Sequence, residues 1–390
     1  GGWGGLFFFS NGTATTEIYT LALHDSDLHR PLRPGDDLPR AAKRAAKGHR
    51  PRPGAQGGSD RLKAARRFLM AGAGSAPMLA AMTRPHILYG LPHSLYTGPA
   101  RAYLRKAGVA FVERAPREPE FRQQVMPAIG RSIIPVLVTA EGEIIQDSVD
   151  IIDHFERAGP ALSAYPDSPR QRFLAHLFQL FGSQGLLRAA MHYRWSYYDA
   201  QSAFLDHAFG VSGAEDDPSR GAMRKMQSYL PGLGVRPDTI PLIEQGYADL
   251  LAALEAHLSV HPYLLGGRPS IGDYGLFGPL FAHLGRDPVP ADIMKRQAPA
   301  VFRWIERLHA PDLDIPDMRE ADGWLLGDAV PDTLEALVAE MGAEMGPELG
   351  AKLTALEDHF QRLGPADGTH VTPHPPPTRS PPRGGRAVPS

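Results

Sequence analysis

The sequence predicts an α/β domain followed by an all-α domain, and three observations carry that prediction. Residues 130–156 contain a β-branched run, a turn, a short apolar segment and then an amphipathic helix. Residues 86–126 have the pattern of strand, helix, strand and helix. From residue 169 onward the apolar side chains recur mostly at helical spacing.

The first domain is expected to have the element order β-α-β-α-β-β-α. Pro99 lies where the first turn of a helix tolerates proline, and Gly108 ends that helix. Pro127 is expected to stop the second helix. The predicted elements cover, in order, residues 86–90, 99–107, 109–113, 119–126, 133–138 and 144–145, and a helix opening at 146–148.

Two features of the segment 130–156 bear on function. Pro135 begins a strand, where proline cannot donate a ladder hydrogen bond, and a cis Ile134–Pro135 bond is predicted there. A cis bond would turn the backbone N–H and C=O of Ile134 outward. Asp147 and Ser148 open the following helix; the simpler interpretation is an N-cap, and the alternative is a site where Ser148 and the helix N–H groups bind a carboxylate.

A proline-headed strand, a hairpin and an acid–serine pair at this spacing resemble the end of the thioredoxin-like domain of the glutathione transferases. The resemblance implies an α/β thioredoxin-like N-terminal domain followed by an all-α C-terminal helical domain. It also implies that the backbone of Ile134, beside Pro135, pairs with the cysteinyl unit of glutathione. Asp147 and Ser148 would hold the γ-glutamyl end.

The loop after the first strand reads LPHSLYTGPAR. Ser94-Leu95-Tyr96 resembles the Ser-Pro-Phe/Tyr pattern of the serine-type glutathione transferases, with Leu95 in place of the proline. The resemblance implies that Ser94 stabilises the glutathione thiolate, because a hydroxyl donor at a helix N-terminus lowers a thiol pKa. Tyr96 and Thr97 remain alternatives for this role. The simpler interpretation of Ser94 is an ordinary loop serine without a catalytic role.

The second domain is predicted to contain a helix over residues 172–195 and another over 239–258, with irregular chain over 199–237 between them. The aromatic cluster at 191–198 is interpreted as helix packing. In the alternative interpretation, the cluster forms a wall for an apolar cosubstrate, and Arg188 or Arg194 binds a ligand carboxylate. Ser270 and Asp273 form a capping box that resembles the family's second hallmark. A further helix, residues 301–308, should bury Trp304, and helical patterns recur at 332–345 and 347–363.

The composition of the chain excludes several kinds of functional site. The chain has 390 residues, a net charge of −2 and no cysteine, so thiolate metal sites and cysteine nucleophiles are excluded. His257 and His261 lie four apart but lack a spaced acidic partner, and no metal is predicted. Near-neutral charge gives no argument for nucleic acid, and no apolar run is long enough to span a membrane.

The domain boundaries expected from these patterns are 85–157 for the glutathione-binding domain, 169–310 for the helical domain and 311–363 for a helical extension. Residues 1–84 are interpreted as a disordered or non-native leader, and 364–390 as a disordered tail. The resemblance implies a cytoplasmic homodimer that uses glutathione as cosubstrate and adds it to a small apolar electrophile. The rival interpretations are a non-catalytic binding or interaction module on the same fold and a glutathione-dependent isomerase or dehalogenase.

Overall fold

The computed structural model describes residues 84–214, 217–318 and 323–363, so the predicted leader and tail lie outside the described residues. The first part of the described chain is a four-stranded mixed sheet in the order β2-β1-β3-β4. Strand β1 pairs parallel with β2 and antiparallel with β3, and β3 pairs antiparallel with β4. The strands are β1 His86–Tyr89, β2 Phe111–Arg114, β3 Val136–Val138 and β4 Ile144–Gln146.

Three α-helices connect or follow these strands, so the element order is the one predicted. They are α1 Thr97–Lys106, α2 Met126–Ile129 and α3 Ser148–Glu156. The expectation that Pro127 stops the second helix was wrong. A π-helical turn, Phe121–Val125, precedes α2, so Pro127 falls in the first turn of α2, where a missing N–H costs no hydrogen bond. Gly130, with φ 71°, ends α2 instead.

Strand β3 is shorter than the predicted run. Only Val136–Val138 belong to the sheet ladder, while Ile133 and Ile134 are buried just before it. The Ile134–Pro135 bond is cis, as the sequence predicted.

The second part of the described chain is helical. Its α-helices are α4 Pro169–Leu180, α5 Leu187–Trp195, α6 Tyr198–Phe209, α7 Pro218–Ser228, α8 Ile240–Leu258, α9 Ile271–Pro279, α10 Pro288–Gln297, α11 Pro299–His309 and α12 Asp332–Leu363. The single helix expected over 172–195 is interrupted by a π-helical turn, Phe181–Gly185. As predicted, Trp304 is fully buried.

The expectation of irregular chain over residues 199–237 was wrong, because that segment contains α6 and α7. Asp217 caps the N-terminus of α7 by accepting a hydrogen bond from the Ser219 N–H at 2.8 Å, and Pro218 occupies the first helical position. The polar and proline residues in this segment therefore delimit two helices rather than prevent them.

Helix α9 joins the two parts of the protein. It packs on α4 of the helical part and on α1 of the α/β part. Its glycines make this close packing possible: a Cβ on Gly275 would lie 2.5 Å from the Gln179 Cα, and one on Gly278 would collide with the Leu95 carbonyl oxygen. The loop that carries Leu95 is thereby held directly against the helical domain.

The C-terminal extension folds back onto the helical domain, because α12 packs on α8 and buries Leu334, Leu337 and Met341. The two separate helical patterns expected here form one continuous helix that contains Pro347. No helix among the described residues is long and apolar enough to cross a membrane.

Candidate functional site

Asp147 has an unusual backbone conformation at the start of α3. Its φ is 77° and its ψ is 143°, a region that non-glycine residues rarely occupy and that costs about 1–3 kcal/mol. The side chain caps α3 by accepting a hydrogen bond from the Val149 N–H at 2.8 Å. Burial raises the pKa of the Asp147 carboxyl above its ordinary value, although backbone hydrogen bonds and Arg131 act in the opposite direction. The start of α3 therefore combines a strained backbone with a carboxyl group whose burial favours the neutral form.

Ser148 is the first residue of α3 and is 7% exposed. It lines a narrow cleft, partly open to solvent, where the α/β part meets the helical part. The cleft is lined by Leu95, Tyr96, Pro99, Ser148, Val149, Ile152, Gln179, Ser183, Ile271, Gly275 and Pro279. Two of the sequence-predicted features, the start of α3 and the loop after β1, therefore meet at one cleft.

Ile134 lies between α2 and strand β3, and its side chain belongs to a small hydrophobic cluster with Tyr89 and Phe121. Its backbone lies outside the ladder of β3. Within the described residues, no hydrogen bond uses the N–H or the C=O of Ile134. An extended ligand could therefore pair with this backbone.

Ser94 is fully buried and does not line the cleft. Its Oγ accepts a hydrogen bond at 3.2 Å from the N–H of Thr97, the first residue of α1. Thr97 is also fully buried, and its hydroxyl has no hydrogen-bond partner among the described residues. The hydroxyl of Tyr96 donates to the Ser183 carbonyl oxygen at 3.4 Å across the cleft. The three candidate hydroxyls thus have three different environments.

Leu95 occupies the position where the resembled family has proline. Its side chain is 1% exposed and packs in a hydrophobic cluster with Met191, Trp195 and Met223. The last of these residues comes from α7, in the segment that was expected to be irregular. Leucine fits this position because helices α6 and α7 supply an apolar surface for it.

The aromatic cluster at 191–198 is mainly a packing element. Met191, Tyr193 and Trp195 are almost completely buried, the first and last of them beneath α6 and α7. Buried Arg194 forms a bidentate ion pair with Asp287 at 2.7 and 2.9 Å and also donates to the carbonyl oxygens of His93 and Ala282. Its donors are therefore engaged in holding the loop before Ser94 against the helical domain.

Arg188, the other arginine considered as a ligand contact, binds the C-terminal extension. It donates to the Leu233 carbonyl oxygen and forms ion pairs with Glu344 and Glu348 of α12. His257 also has a structural environment, since its two ring nitrogens contact Thr333 Oγ1 and the Leu264 carbonyl oxygen. No group of three potential metal-binding side chains occurs in the part of the chain that the structure describes.

Sequence analysis did not identify Gln179 and Ser183 as cleft residues. Both are polar residues within the mostly apolar stretch LFQLFGSQGLL, four positions apart. This spacing places them near each other on a helical surface. Only the π-helical turn at Phe181–Gly185 and the close approach of α9 bring them to the cleft, and neither feature is visible in a single sequence.

Comparisons with solved structures return similar chains at low identity and with low TM-scores. One is a glutathione S-transferase from Xanthobacter autotrophicus, with 22% identity and a TM-score of 0.34 over 60% of this chain and 95% of that chain. Another is the beta-etherase LigF from Sphingobium sp., with 15% identity and a TM-score of 0.41 over 66% of this chain and 100% of that chain. A third is a glutathione transferase family member from Pseudomonas fluorescens with two glutathione bound, with 16% identity and a TM-score of 0.35 over 59% of this chain and 90% of that chain. No curated protein matches the sequence.

Comparison with protein families gives two matches that agree with the architecture. The glutathione S-transferase N-terminal domain matches residues 88–163, which contain α3 and the sheet except for the first two residues of β1. The glutathione S-transferase C-terminal domain matches residues 237–307, which contain α8, α9 and the Ser270–Asp273 cap. The chain therefore contains regions that match the N-terminal and the C-terminal domain of the glutathione S-transferases, in that order.

Proposed function

We propose that this protein binds glutathione and adds its thiolate to a small apolar electrophile. The observation that carries the proposal is the strained start of α3, where Asp147 has a φ of 77° and Ser148 borders the cleft. Strained backbone persists where the surrounding structure enforces it, and it is concentrated at functional sites. A cap alone does not require this conformation, since ordinary N-cap residues have extended backbone.

The two ends of the γ-glutamyl group fit the charges at this helix start. The Asp147 carboxylate supplies a partner for the ligand ammonium, which would return the raised pKa of Asp147 toward its ordinary value. The Ser148 hydroxyl and the first-turn N–H groups of α3 supply donors for the ligand carboxylate. The backbone N–H and C=O of Ile134, beside Pro135, supply the pairing partners for the cysteinyl unit.

Thiolate stabilisation is assigned to Ser94 in this proposal. Because Ser94 Oγ accepts its hydrogen bond from the Thr97 N–H, the hydroxyl proton remains available for donation. An ordinary thiol has a pKa of about 8.5, so a donor at the N-terminus of α1 would increase the thiolate fraction at neutral pH. Thiolate attack then forms the carbon–sulfur bond, and a leaving group departs with its electron pair where the electrophile carries one.

The burial of Ser94 favours a second candidate function, which is glutathione binding without turnover. Ser94 is 0% exposed, and Leu95 beside it is anchored in the cluster with Met191 and Trp195. A thiolate reaches Ser94 only if this loop shifts. A protein in which the loop stays fixed would bind the tripeptide through Asp147 and Ser148 and would not activate its thiol.

The test measures turnover of a generic aryl halide with glutathione from pH 6 to pH 9 in three variants, Ser94→Ala, Tyr96→Phe and Thr97→Val. The proposal expects Ser94→Ala to leave glutathione affinity nearly unchanged and to reduce turnover at neutral pH. The deficit should diminish as pH rises, because free thiolate then forms without help. Tyr96→Phe and Thr97→Val are the matched controls from the same loop.

If a control variant shows the pH-dependent loss and Ser94→Ala does not, Ser94 is misassigned while the enzyme class is retained. If none of the three changes a measurable activity, thiol activation by this loop is refuted. Binding of glutathione by the parent protein without turnover of any electrophile in a broad panel would establish the second candidate function.

A further inference from the structure

A polar cluster outside the glutathione cleft has the geometry of an activated nucleophile. The Ser196 Oγ, at the C-terminal end of α5, lies 2.9 Å from the His192 Nδ1. The His192 Nε2 lies 3.0 Å from the Glu244 Oε1 of helix α8. His192 is 1% exposed, whereas Ser196 is exposed to solvent. An accessible hydroxyl, a buried imidazole and a carboxylate that orients it therefore follow one another within hydrogen-bond reach.

The protonation pattern of this cluster can be derived from its partners. The Tyr197 hydroxyl donates to the same Glu244 Oε1 at 2.7 Å. Burial acts to raise the Glu244 pKa, but the hydrogen bonds from Tyr197 and His192 outweigh it and hold that pKa below its ordinary value. Glu244 is therefore ionised and accepts hydrogen bonds only. The neutral His192 ring must then carry its proton on Nε2, which leaves the Nδ1 lone pair facing the Ser196 hydroxyl.

The start of helix α6 adds a source of positive potential beside Ser196. Helix α6 begins at Tyr198, two residues later, and has no side-chain cap. The first N–H groups of a helix have no acceptor within it and carry partial positive charge. The start of α6 is therefore a source of positive potential close to Ser196 in the sequence.

We infer that Ser196 is a nucleophile, separate from the glutathione site, that accepts an acyl group from activated esters with His192 as general base. The Ser196 oxygen attacks the ester carbonyl carbon, and its proton passes to the His192 Nδ1. The new oxygen–carbon bond forms as the ester carbon–oxygen bond breaks, and the leaving phenolate departs with the electron pair. Glu244 stays ionised and balances the charge of the imidazolium, so it acts as a positioning residue.

The test exposes the full chain, without glutathione, to p-nitrophenyl acetate and follows acetylation of each serine by peptide mass spectrometry. Ser228 is the internal control, since it is exposed and lies at the end of α7, and among the described residues its hydroxyl bonds only the Lys225 carbonyl oxygen. The parent should acetylate Ser196 at least about tenfold faster than Ser228, because general-base catalysis contributes about 10²–10⁴-fold. Ser196→Ala should abolish this product and leave the melting temperature unchanged.

Glu244→Gln separates activation from simple exposure, because it retains the side-chain volume and removes the charge that stabilises the imidazolium. Acetylation of Ser196 should slow at least about tenfold in this variant while acetylation of Ser228 is unchanged. Equal acetylation rates at Ser196 and Ser228 in the parent would overturn the inference. An unchanged Ser196 rate in folded Glu244→Gln would overturn it as well, since exposure alone would then account for the reaction.

Discussion

Two helices of this protein begin with a serine and an aspartate, and the two sites differ in how many hydrogen bonds these side chains make. At the start of α9, Ser270 and Asp273 are fully buried and their oxygens are engaged. At the start of α3, Asp147 is strained and Ser148 has no hydrogen-bond partner for its hydroxyl among the described residues. The same residue types therefore serve stability at one site and remain available to a ligand at the other.

At the start of α9, both carboxylate oxygens of Asp273 accept hydrogen bonds. The Asp273 Oδ2 accepts from the Ser270 N–H and the Ser270 hydroxyl, each at 2.8 Å. Its Oδ1 accepts from the Leu264 N–H at 2.9 Å and the Trp304 indole N–H at 3.1 Å. Such a network ties α9 to the preceding loop and to α11, and it offers no group to a ligand.

The largest effect should come from breaking the α9 network. Asp273→Ala should lower the free energy of unfolding by about 3–5 kcal/mol, because each buried donor left without an acceptor costs about 1–3 kcal/mol. Denaturant titration measures this loss, and glutathione affinity at low denaturant should be unchanged. A loss below about 1 kcal/mol would show that the network contributes far less than its burial implies.

A smaller, different effect is expected at α3. Asp147→Asn keeps an N-cap acceptor and removes the charge that we assign to the ligand ammonium. Glutathione binding should weaken by about 1–3 kcal/mol, while the free energy of unfolding changes little. Asp147→Ala should weaken binding similarly and also lose about 1 kcal/mol of stability, because the cap is lost. Calorimetric titration of both folded variants measures the difference, and unchanged affinity in Asp147→Asn would contradict the assignment.

The smallest expected effect is on the pH dependence of folding stability. Burial raises the pKa of Asp147 from its ordinary value of 3.8, so the folded state binds this proton more tightly than the unfolded state does. The stabilisation of the folded state by this tighter proton binding is present below pH 3.8. It is lost as pH rises through the pKa that Asp147 has in the folded state. The stability of the parent relative to Asp147→Asn should therefore decline as pH rises from about 4. An opposite slope would show that the free protein already stabilises the Asp147 carboxylate.

The features that sequence analysis predicted correctly are local ones. The Ser270–Asp273 cap, the order of elements in the first domain and the cis bond before Pro135 depend on short patterns, and the structure confirms each. Local patterns identified Ser270 and Asp273 as a capping box but left Asp147 and Ser148 open between an N-cap and a ligand site, and only the family resemblance favoured the ligand site. The backbone dihedral at Asp147 and the distant partners of Asp273 distinguish the two helix starts, and a single sequence records neither.

The missed features depend on tertiary packing. The segment 199–237 forms helices because α6 and α7 bury Leu205 and Met223 against Leu95, although its local composition favours turns. Likewise, α12 continues through Pro347 although each half of it has its own helical pattern. The burial of Ser94 follows from the same packing and is equally absent from the local pattern.

The central claim is that the start of α3 recognises the γ-glutamyl group, and one comparison of ligands tests it most directly. Calorimetric titration of the parent protein with glutathione and with cysteinylglycine, which lacks the γ-glutamyl group, isolates the contribution of that group. The account predicts that glutathione binds at least about tenfold more tightly, a difference of about 1.4 kcal/mol, and that Asp147→Asn removes most of this preference. Equal affinity of the two ligands for the parent protein, or failure of glutathione to bind it, would contradict the account.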